Sequence, residues 1–345
     1  MSEFAPPFWL RSAHLQSIVP SLPLRRAATE RRAVPLLESS DEHILDCGDG
    51  VRLLGLHSAQ MRRGRAPASQ LVVMHHGWEG SAESLYMVAL GQYLFERGFD
   101  VLRLNLRDHG PTHHLNRELF HSCRLPEVVG AVQSVQAQFP DQELNLVGFS
   151  LGGNFALRVG ARAAAAGIRL RRIVAISPVL EPETTLAALE NGAAIYRKYF
   201  VWKWTRSLLK KQLAWPGWYD FEEMMRTPTL NHMTDYLVRK YTEFPNMPSY
   251  LRGYAIVRGE LDSLEVPARI IAAEDDPMIP ARDLERLPRL PNLHVTVSRY
   301  GGHCGFLTSL RGESWLAREV FEELGERCRL NPAPTSSGRW PASSP

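Results

Sequence analysis

The sequence lacks the features of membrane-spanning and exported proteins. No stretch of its 345 residues reaches the roughly 18 consecutive apolar residues that a spanning helix needs. Residues 1–7 contain an acidic residue and two prolines where a signal peptide would have a basic region followed by an apolar one. Cysteine is scarce, and the four residues lack the paired spacing of zinc or redox sites. We therefore expect a cytoplasmic protein with free thiols.

A strong net charge and the common nucleotide-binding motifs are also missing. With 40 basic and 37 acidic residues, the formal charge of +3 gives no field that would favour nucleic acid as a partner. No G-x-G-x-x-G follows a predicted strand and no G-x-x-x-x-G-K-[ST] occurs, so no dinucleotide or P-loop cofactor is expected. The apolar content of 44% is that of a globular protein with a large core.

Short runs of aliphatic and β-branched residues predict eight strands. They lie around residue 44 and at residues 51–56, 71–75, 101–106, 144–147, 173–176, 270–273 and 295–297. Helical patterns follow most of them, at residues 84–97, 126–138, 152–166, 281–287 and 313–323. This alternation predicts a mostly parallel sheet that is covered by helices on both faces.

The alternation is interrupted once, between the sixth and seventh strands. Residues 180–264 predict an inserted, mostly helical cap, with helices at 187–213 and 224–241. The core would then consist of residues 39–179 and 265–324, preceded by an N-terminal segment at 1–38. Residues 330–345 are dominated by Pro, Ser, Ala and Gly, which predicts a disordered tail.

A candidate nucleophile, Ser150, lies at the centre of the pentapeptide G-F-S-L-G at 148–152. A predicted strand precedes this pentapeptide and a helix rich in small residues follows it. In such a strand-turn-helix setting the glycines permit a strained turn that exposes the serine hydroxyl. A tight turn with an incidental serine is the alternative interpretation.

Candidates for a base and its orienting carboxylate follow the last two strands. His303 lies in G-G-H-C-G after the eighth strand, and Asp276 follows the seventh, with Asp275 as the alternative. The chain order Ser150, Asp276, His303 is the order expected of the α/β-hydrolase fold. Asp276 would hold the neutral tautomer of His303, which would accept the proton of Ser150 during attack on an acyl carbonyl.

An oxyanion formed in this attack needs two backbone N–H donors. The residue after the nucleophile, Leu151, supplies the first. The second is expected from the loop after the third strand, which reads H-H-G-W-E-G at 75–80. We assign it to Trp78, because glycine at 77 lets the backbone turn toward the nucleophile, with Gly77 itself as the alternative.

Two polar segments allow a second interpretation. Asp108, His109, His113, His114 and His121 are metal-ligand residue types, but their spacing matches no metal motif and no metal is expected. Residues 196–211 of the cap combine aromatic side chains with six basic residues and no acid. Such a segment is typical of a helix at an anionic lipid surface, or of a cap helix that packs its aromatic residues over a site and leaves a solvated basic face.

Three motifs together resemble the YheT-type branch of the α/β hydrolases, also called the AB-hydrolase-4 family. They are H-G-W-E-G-S at 76–81, G-F-S-L-G-G-N at 148–154 and D-D-P at 275–277, and residues 6–17 are similar to the family's opening segment. The resemblance covers residues 8–324 and implies an esterase or lipid-acyl hydrolase with its triad on Ser150, Asp276 and His303. Where the family often has a glycine-rich turn after the fourth strand, residues 105–114 read N-L-R-D-H-G-P-T-H-H.

These inferences predict a serine hydrolase that cleaves carboxylic esters, either small molecules or lipids, through an acyl-enzyme on Ser150. Acyl transfer to an alcohol or amine by the same residues is one alternative. A binding protein that keeps the fold without activity is the other. Peripheral membrane contact would be made through the cap.

Overall fold

Eight strands form a single sheet in the computed structural model, which describes residues 4–309 and 314–325. The strands are β1 (Ser40–Asp46), β2 (Arg52–Ser58), β3 (Gln70–His75), β4 (Asp100–Asn105), β5 (Glu143–Phe149), β6 (Leu170–Ile176), β7 (Ala268–Ala273) and β8 (Leu293–Ser298). Their order across the sheet is β1-β2-β4-β3-β5-β6-β7-β8. Strand β2 pairs antiparallel with β1 and β4, and all other neighbours are parallel. The predicted eight-stranded, mostly parallel sheet is thereby confirmed.

The α-helices surround the sheet and fill the connection between β6 and β7. Those outside this connection are α1 (Ala13–Ile18), α2 (Pro23–Glu38), α3 (Leu85–Glu96), α4 (Leu125–Gln138), α5 (Leu151–Arg162) and α11 (Trp315–Gly325). Those within it are α6 (Pro182–Asn191), α7 (Ala194–Ala214), α8 (Glu222–Met225), α9 (Leu230–Tyr241) and α10 (Met247–Arg252). Short 3-10 turns occur at Phe8–Leu10, Val19–Ser21, Gln60–Arg63 and Ala281–Arg286.

Strand β3 shows how the core is divided by the sheet. Leu71 and Val73 pack in one apolar cluster with α4, α5 and the cap, whereas Val72 and Met74 pack in another with α3 and α11. Successive strand side chains point to opposite faces, and here both faces are buried. Because these strands are parallel, their carboxyl ends lie at one edge of the sheet, and the loops that carry the candidate residues meet there.

Several helix bounds differ from those predicted. The predicted helix 187–213 is two helices, because the backbone is extended at Gly192, where a side chain would also collide with Ala188 O. The predicted helix 224–241 is likewise divided, since Pro228 disfavours a helical conformation in the residue before it. Residues 281–286 form a 3-10 turn, and α11 begins at Trp315. The tail predicted at 330–345 lies outside the described residues.

The helices of the N-terminal segment were not predicted. Helices α1 and α2 occupy residues that the sequence pattern leaves unassigned. Among the helices of the described residues, none has both the length and the apolar character required to cross a bilayer.

Candidate active site

Ser150 lies on a strained turn between β5 and α5. Its backbone has φ 53° and ψ −116°, a conformation that a residue other than glycine rarely adopts. The turn is fixed by Ser150 N, which donates to Ile176 O at 2.8 Å. A Cβ on Gly148 would lie 2.2 Å from Gly152 O, and one on Gly152 would lie 2.3 Å from His75 O. Both glycines are therefore required by the close approach of three backbone segments.

Asp276 and His303 are brought into contact by the loops after β7 and β8. Asp276 Oδ2 lies 2.8 Å from His303 Nδ1, while Asp276 Oδ1 accepts hydrogen bonds from the N–H groups of Met278 and Ile279. Burial acts to lower the pKa of His303, but the adjacent Asp276 carboxylate and Cys304 together outweigh it, and the pKa is raised well above its ordinary value. Asp275, the alternative acid, instead accepts from the N–H of Gly302.

The loop after β3 is held so that one backbone N–H is unused. Gly77 N donates to Tyr86 Oη at 3.0 Å, while Gly77 O accepts from His76 Nδ1 and from Gly80 N. In a trans peptide the carbonyl and the next N–H point in opposite directions, so the Trp78 N–H is directed away from His76. The Trp78 N–H has no hydrogen-bond acceptor among the described residues. Leu151 N is at the first helical position of α5 and so has no acceptor within the helix. This geometry favours Trp78 over Gly77 as a donor.

The N-terminal segment supports the His303 loop. Ser17 Oγ accepts from His303 N at 2.8 Å and donates to Ala13 O at 2.7 Å. A Cβ on Gly302 would lie 2.4 Å from Ala13 O, and one on Gly305 would lie 2.1 Å from the carbonyl of Gln16. The sequence analysis missed this contact. The only signal for it was the density of glycine around His303.

A cavity of about 620 Å³ extends from Ser150 beneath the cap. Ser150, Leu151, His303 and Trp78 all line it. Much of the remaining wall is apolar, and part of it is formed by Phe120, Leu186, Leu189, Phe200, Trp204 and Leu237. The Trp78 ring stacks on Phe200 at 5.1 Å between centroids and meets Trp204 edge-on at 4.9 Å. Helix α7 of the cap thus covers the loop that carries Trp78.

Glu79 is a buried carboxyl group in this largely apolar wall. It lies at φ 56°, it is 9% exposed, and its carboxyl group has no hydrogen-bond partner among the described residues. Burial raises the pKa of Glu79 to about 8, although Lys203 nearby acts to lower it. The sequence analysis did not single out this residue. Its position in H-G-W-E-G, next to the candidate donor Trp78, was the available signal.

The polar loop after β4 attaches the cap to the core. Lys211 of α7 is fully buried and donates to Asp108 Oδ1 at 2.8 Å and to two backbone carbonyls of this loop. His113 Nε2 lies 2.9 Å from Ser207 Oγ, and His109 Nε2 accepts from Glu79 N. Within residues 4–309 and 314–325, no three His, Cys, Asp or Glu side chains are grouped as metal ligands would be.

The chain is similar to known proteins along most of its length. A family model described as alpha/beta hydrolase fold matches residues 70–310. YheT of Escherichia coli strain K12, named as a candidate esterase, is 23% identical over 329 residues, which are 94% of this chain and 93% of that protein. Monoacylglycerol lipase ABHD2 of Danio rerio is 22% identical over 279 residues, 75% of this chain and 65% of that protein. The solved Pyrococcus furiosus esterase Pf2001 covers 84% of this chain and 91% of its own, with a TM-score of 0.55 and 17% identity, and so shares the fold.

Proposed function

Because the chain belongs to the α/β-hydrolase family, we propose that it is a serine hydrolase that cleaves carboxylic esters through an acyl-enzyme on Ser150. The 2.8 Å contact of Asp276 with His303, which lines the same cavity as Ser150, is the observation that carries this proposal. Similarity to YheT, the relative whose branch the motifs resemble, supports an esterase activity.

The proposed reaction has two halves, the acylation of Ser150 and the hydrolysis of the acyl-enzyme, and the same side chains and N–H groups act in both. His303 Nε2 accepts the proton of Ser150 Oγ as this oxygen attacks the ester carbonyl, while Asp276 stabilises the resulting imidazolium. The N–H groups of Leu151 and Trp78 donate to the oxyanion. His303 then protonates the departing alcohol, and a water molecule cleaves the acyl-enzyme by the same route in reverse.

The cavity favours an ester with an apolar acyl chain. Its apolar side chains would bury methylene groups, each of which contributes about 0.8 kcal/mol when it is removed from water. The similarity to a monoacylglycerol lipase supports the same substrate class. We therefore propose acyl esters of lipid type as substrates, in preference to short, polar esters.

The test is a fluorophosphonate label and a p-nitrophenyl ester assay on the wild-type protein and on Ser150→Ala. We expect the wild-type serine to be labelled, and Ser150→Ala to lose at least about a thousandfold in kcat with an unchanged thermal midpoint. Ser134→Ala, on α4 and outside the cavity lining, is the matched control. Substantial turnover by Ser150→Ala would contradict the assignment.

The same assay separates the two alternatives. An unlabelled wild-type protein, under conditions where other serine hydrolases react, would indicate a binding protein without activity. If an added alcohol diverted most of the acyl group from water to a new ester, the protein would be an acyltransferase. The triad makes the same acyl-enzyme in that case, and only the acceptor differs.

A further inference from the structure

Helix α7 presents an apolar stripe to solvent along one of its faces. Six of its exposed positions recur at intervals of three and four residues, which places them within one narrow face of an α-helix. We call this the outer face, and it consists of Ile195, Tyr199, Trp202, Arg206, Leu209 and Leu213. Its five apolar side chains are between 44% and 80% exposed. At 1.5 Å per residue the stripe is about 27 Å long.

The charged residues of α7 beside this stripe are all basic. Lys198 and Lys210 are exposed and lie on either flank of the outer face, and Arg206 lies within it, 4.8 Å from the Trp202 ring. No Asp or Glu occurs in α7. A second copy of the same chain would bring these cations against their equivalents, whereas an anionic surface would complement them. Tryptophan, tyrosine and leucine between lysines and arginines are the composition of helices that lie in a lipid interface.

The outer face is continuous with the mouth of the cavity. Ile195 and Tyr199 belong to the outer face and also line the cavity, as does Leu22 of the N-terminal segment, which is 39% exposed. The N-terminal segment and α7 meet at this point, because His14 Nδ1 lies 2.8 Å from Tyr196 Oη. A surface bound along α7 would therefore lie beside the opening that leads to Ser150.

From these observations we propose that the outer face of α7 docks the protein on an anionic lipid bilayer. The apolar side chains enter the interfacial region, while Lys198, Arg206 and Lys210 contact anionic headgroups. An apolar substrate then passes from the bilayer into the cavity beside Ile195 and Tyr199 without crossing water. Binding of the bilayer is separate from the proposed hydrolysis, since Trp202, Leu209 and Leu213 do not line the cavity.

The test is flotation of the full chain with vesicles of phosphatidylcholine alone and of phosphatidylcholine mixed with phosphatidylglycerol. We expect binding to the mixed vesicles that weakens as salt is added, because exposed charges are screened. Trp202→Ser with Leu209→Ser should require at least about tenfold more lipid for half-binding, since two apolar side chains are removed. Met61→Ser with Arg63→Gln removes an exposed apolar residue and a cation outside α7, and should bind as the wild type does.

Three outcomes would overturn the proposal. They are the absence of binding to mixed vesicles, equal binding by Trp202→Ser with Leu209→Ser, and a wild-type dimer that this variant converts to a monomer in size-exclusion chromatography. The last outcome would make the outer face a contact between two copies. Hydrolysis of soluble p-nitrophenyl acetate, measured for the wild type and for each variant, tests the proposed function separately from vesicle binding. If the wild type hydrolyses this ester but does not bind the mixed vesicles, only the docking proposal is wrong.

Discussion

At the scale of single residues, Glu79 couples the cavity to pH. Its pKa of about 8 means that the carboxyl is mostly neutral at pH 7 and ionises as the pH rises further. An uncharged acyl ester should bind the neutral form better, because the ionised form adds a buried negative charge to a wall that is largely apolar. We expect KM for a long-chain ester to rise as the pH passes about 8 in the wild type, and to stay level in Glu79→Gln. Coinciding KM profiles would contradict this prediction.

The raised pKa of Glu79 also predicts how the free energy of unfolding depends on pH. The folded pKa of Glu79 lies above the ordinary value of 4.5, so the folded protein holds a proton that the unfolded chain releases. The free energy of unfolding should therefore fall as the pH rises from about 4.5 to about 8, and this decline should be smaller in Glu79→Gln. Urea denaturation at several pH values measures the difference. Glu96→Gln, an exposed carboxyl on α3, is the control and should follow the wild type.

Ser17 is expected to act as a positioning residue for His303. Replacing it with Ala removes the hydrogen bond to the His303 N–H and releases the loop that carries the base. We expect kcat to fall by about tenfold with little change in KM, which corresponds to about 1.4 kcal/mol. Ser17→Thr keeps the hydroxyl and should restore most of the rate.

The control for Ser17 is the N-cap residue of the same helix. Ser12 Oγ caps α1 by accepting from Leu15 N at 3.4 Å, and the hydrogen bonds of the His303 loop do not involve it. Ser12→Ala should therefore lower the thermal midpoint without a specific loss of kcat. If both variants lost kcat in proportion to stability, Ser17 would have a structural role alone.

The candidate residues differ in how far the sequence could predict them. Ser150, Asp276 and His303 each follow a strand, so local pattern and chain order were sufficient to select them. Ser17 contacts a residue 286 positions away, and nothing near it in the sequence indicates that partner. The contribution of Glu79 depends on burial by the cap, which appears only when the chain is folded.

At the scale of elements, Lys211 is a buried contact between α7 and the loop after β4. The substitution Lys211→Met would leave Asp108 buried without its cation. Burial raises the pKa of Asp108 to about 6 even when Lys211 is present. An uncompensated buried charge costs about 3–5 kcal/mol. We expect a loss of this order in the free energy of unfolding, measured with urea. Lys211→Met with Asp108→Asn should lose less, because no lone charge remains.

The neighbouring lysine provides a matched control. Lys210 is exposed on the same turn of α7, so Lys210→Met should change the free energy of unfolding by less than about 0.5 kcal/mol. Equal urea midpoints for Lys210→Met and Lys211→Met would show that the buried contact with Asp108 does not hold the cap.

Elements were predictable wherever one local pattern determined them. The eight strands were confirmed, and the apolar runs of β2 to β7 are bounded by turn residues and mostly buried. The break at Gly192 was missed because a single glycine is tolerated in many helices, and the collision with Ala188 O depends on the turn itself. In α7 the basic and aromatic residues are mixed along the chain, and only the helix separates a packed face from an exposed one.

At the scale of the whole molecule, separate parts of the chain combine to form one cavity. The core supplies Ser150 and His303, the cap covers them, and the N-terminal segment closes one side. The contact of His14 with Tyr196 joins residues 182 positions apart, so the size of the cavity could not be predicted from local sequence. We expect its volume of about 620 Å³ and its largely apolar lining to limit the substrates of the proposed hydrolysis.

The chain-length dependence of hydrolysis measures this cavity directly. Each added methylene of a p-nitrophenyl ester should raise kcat/KM by about fourfold, equivalent to about 0.8 kcal/mol, until the acyl chain fills the available volume. Leu186→Trp, which enlarges a side chain of the cavity wall on α6, should move the preferred chain length toward shorter esters. Met61→Trp, at an exposed position that does not line the cavity, should leave it unchanged. A kcat/KM that is independent of chain length would mean that the acyl group binds outside this cavity.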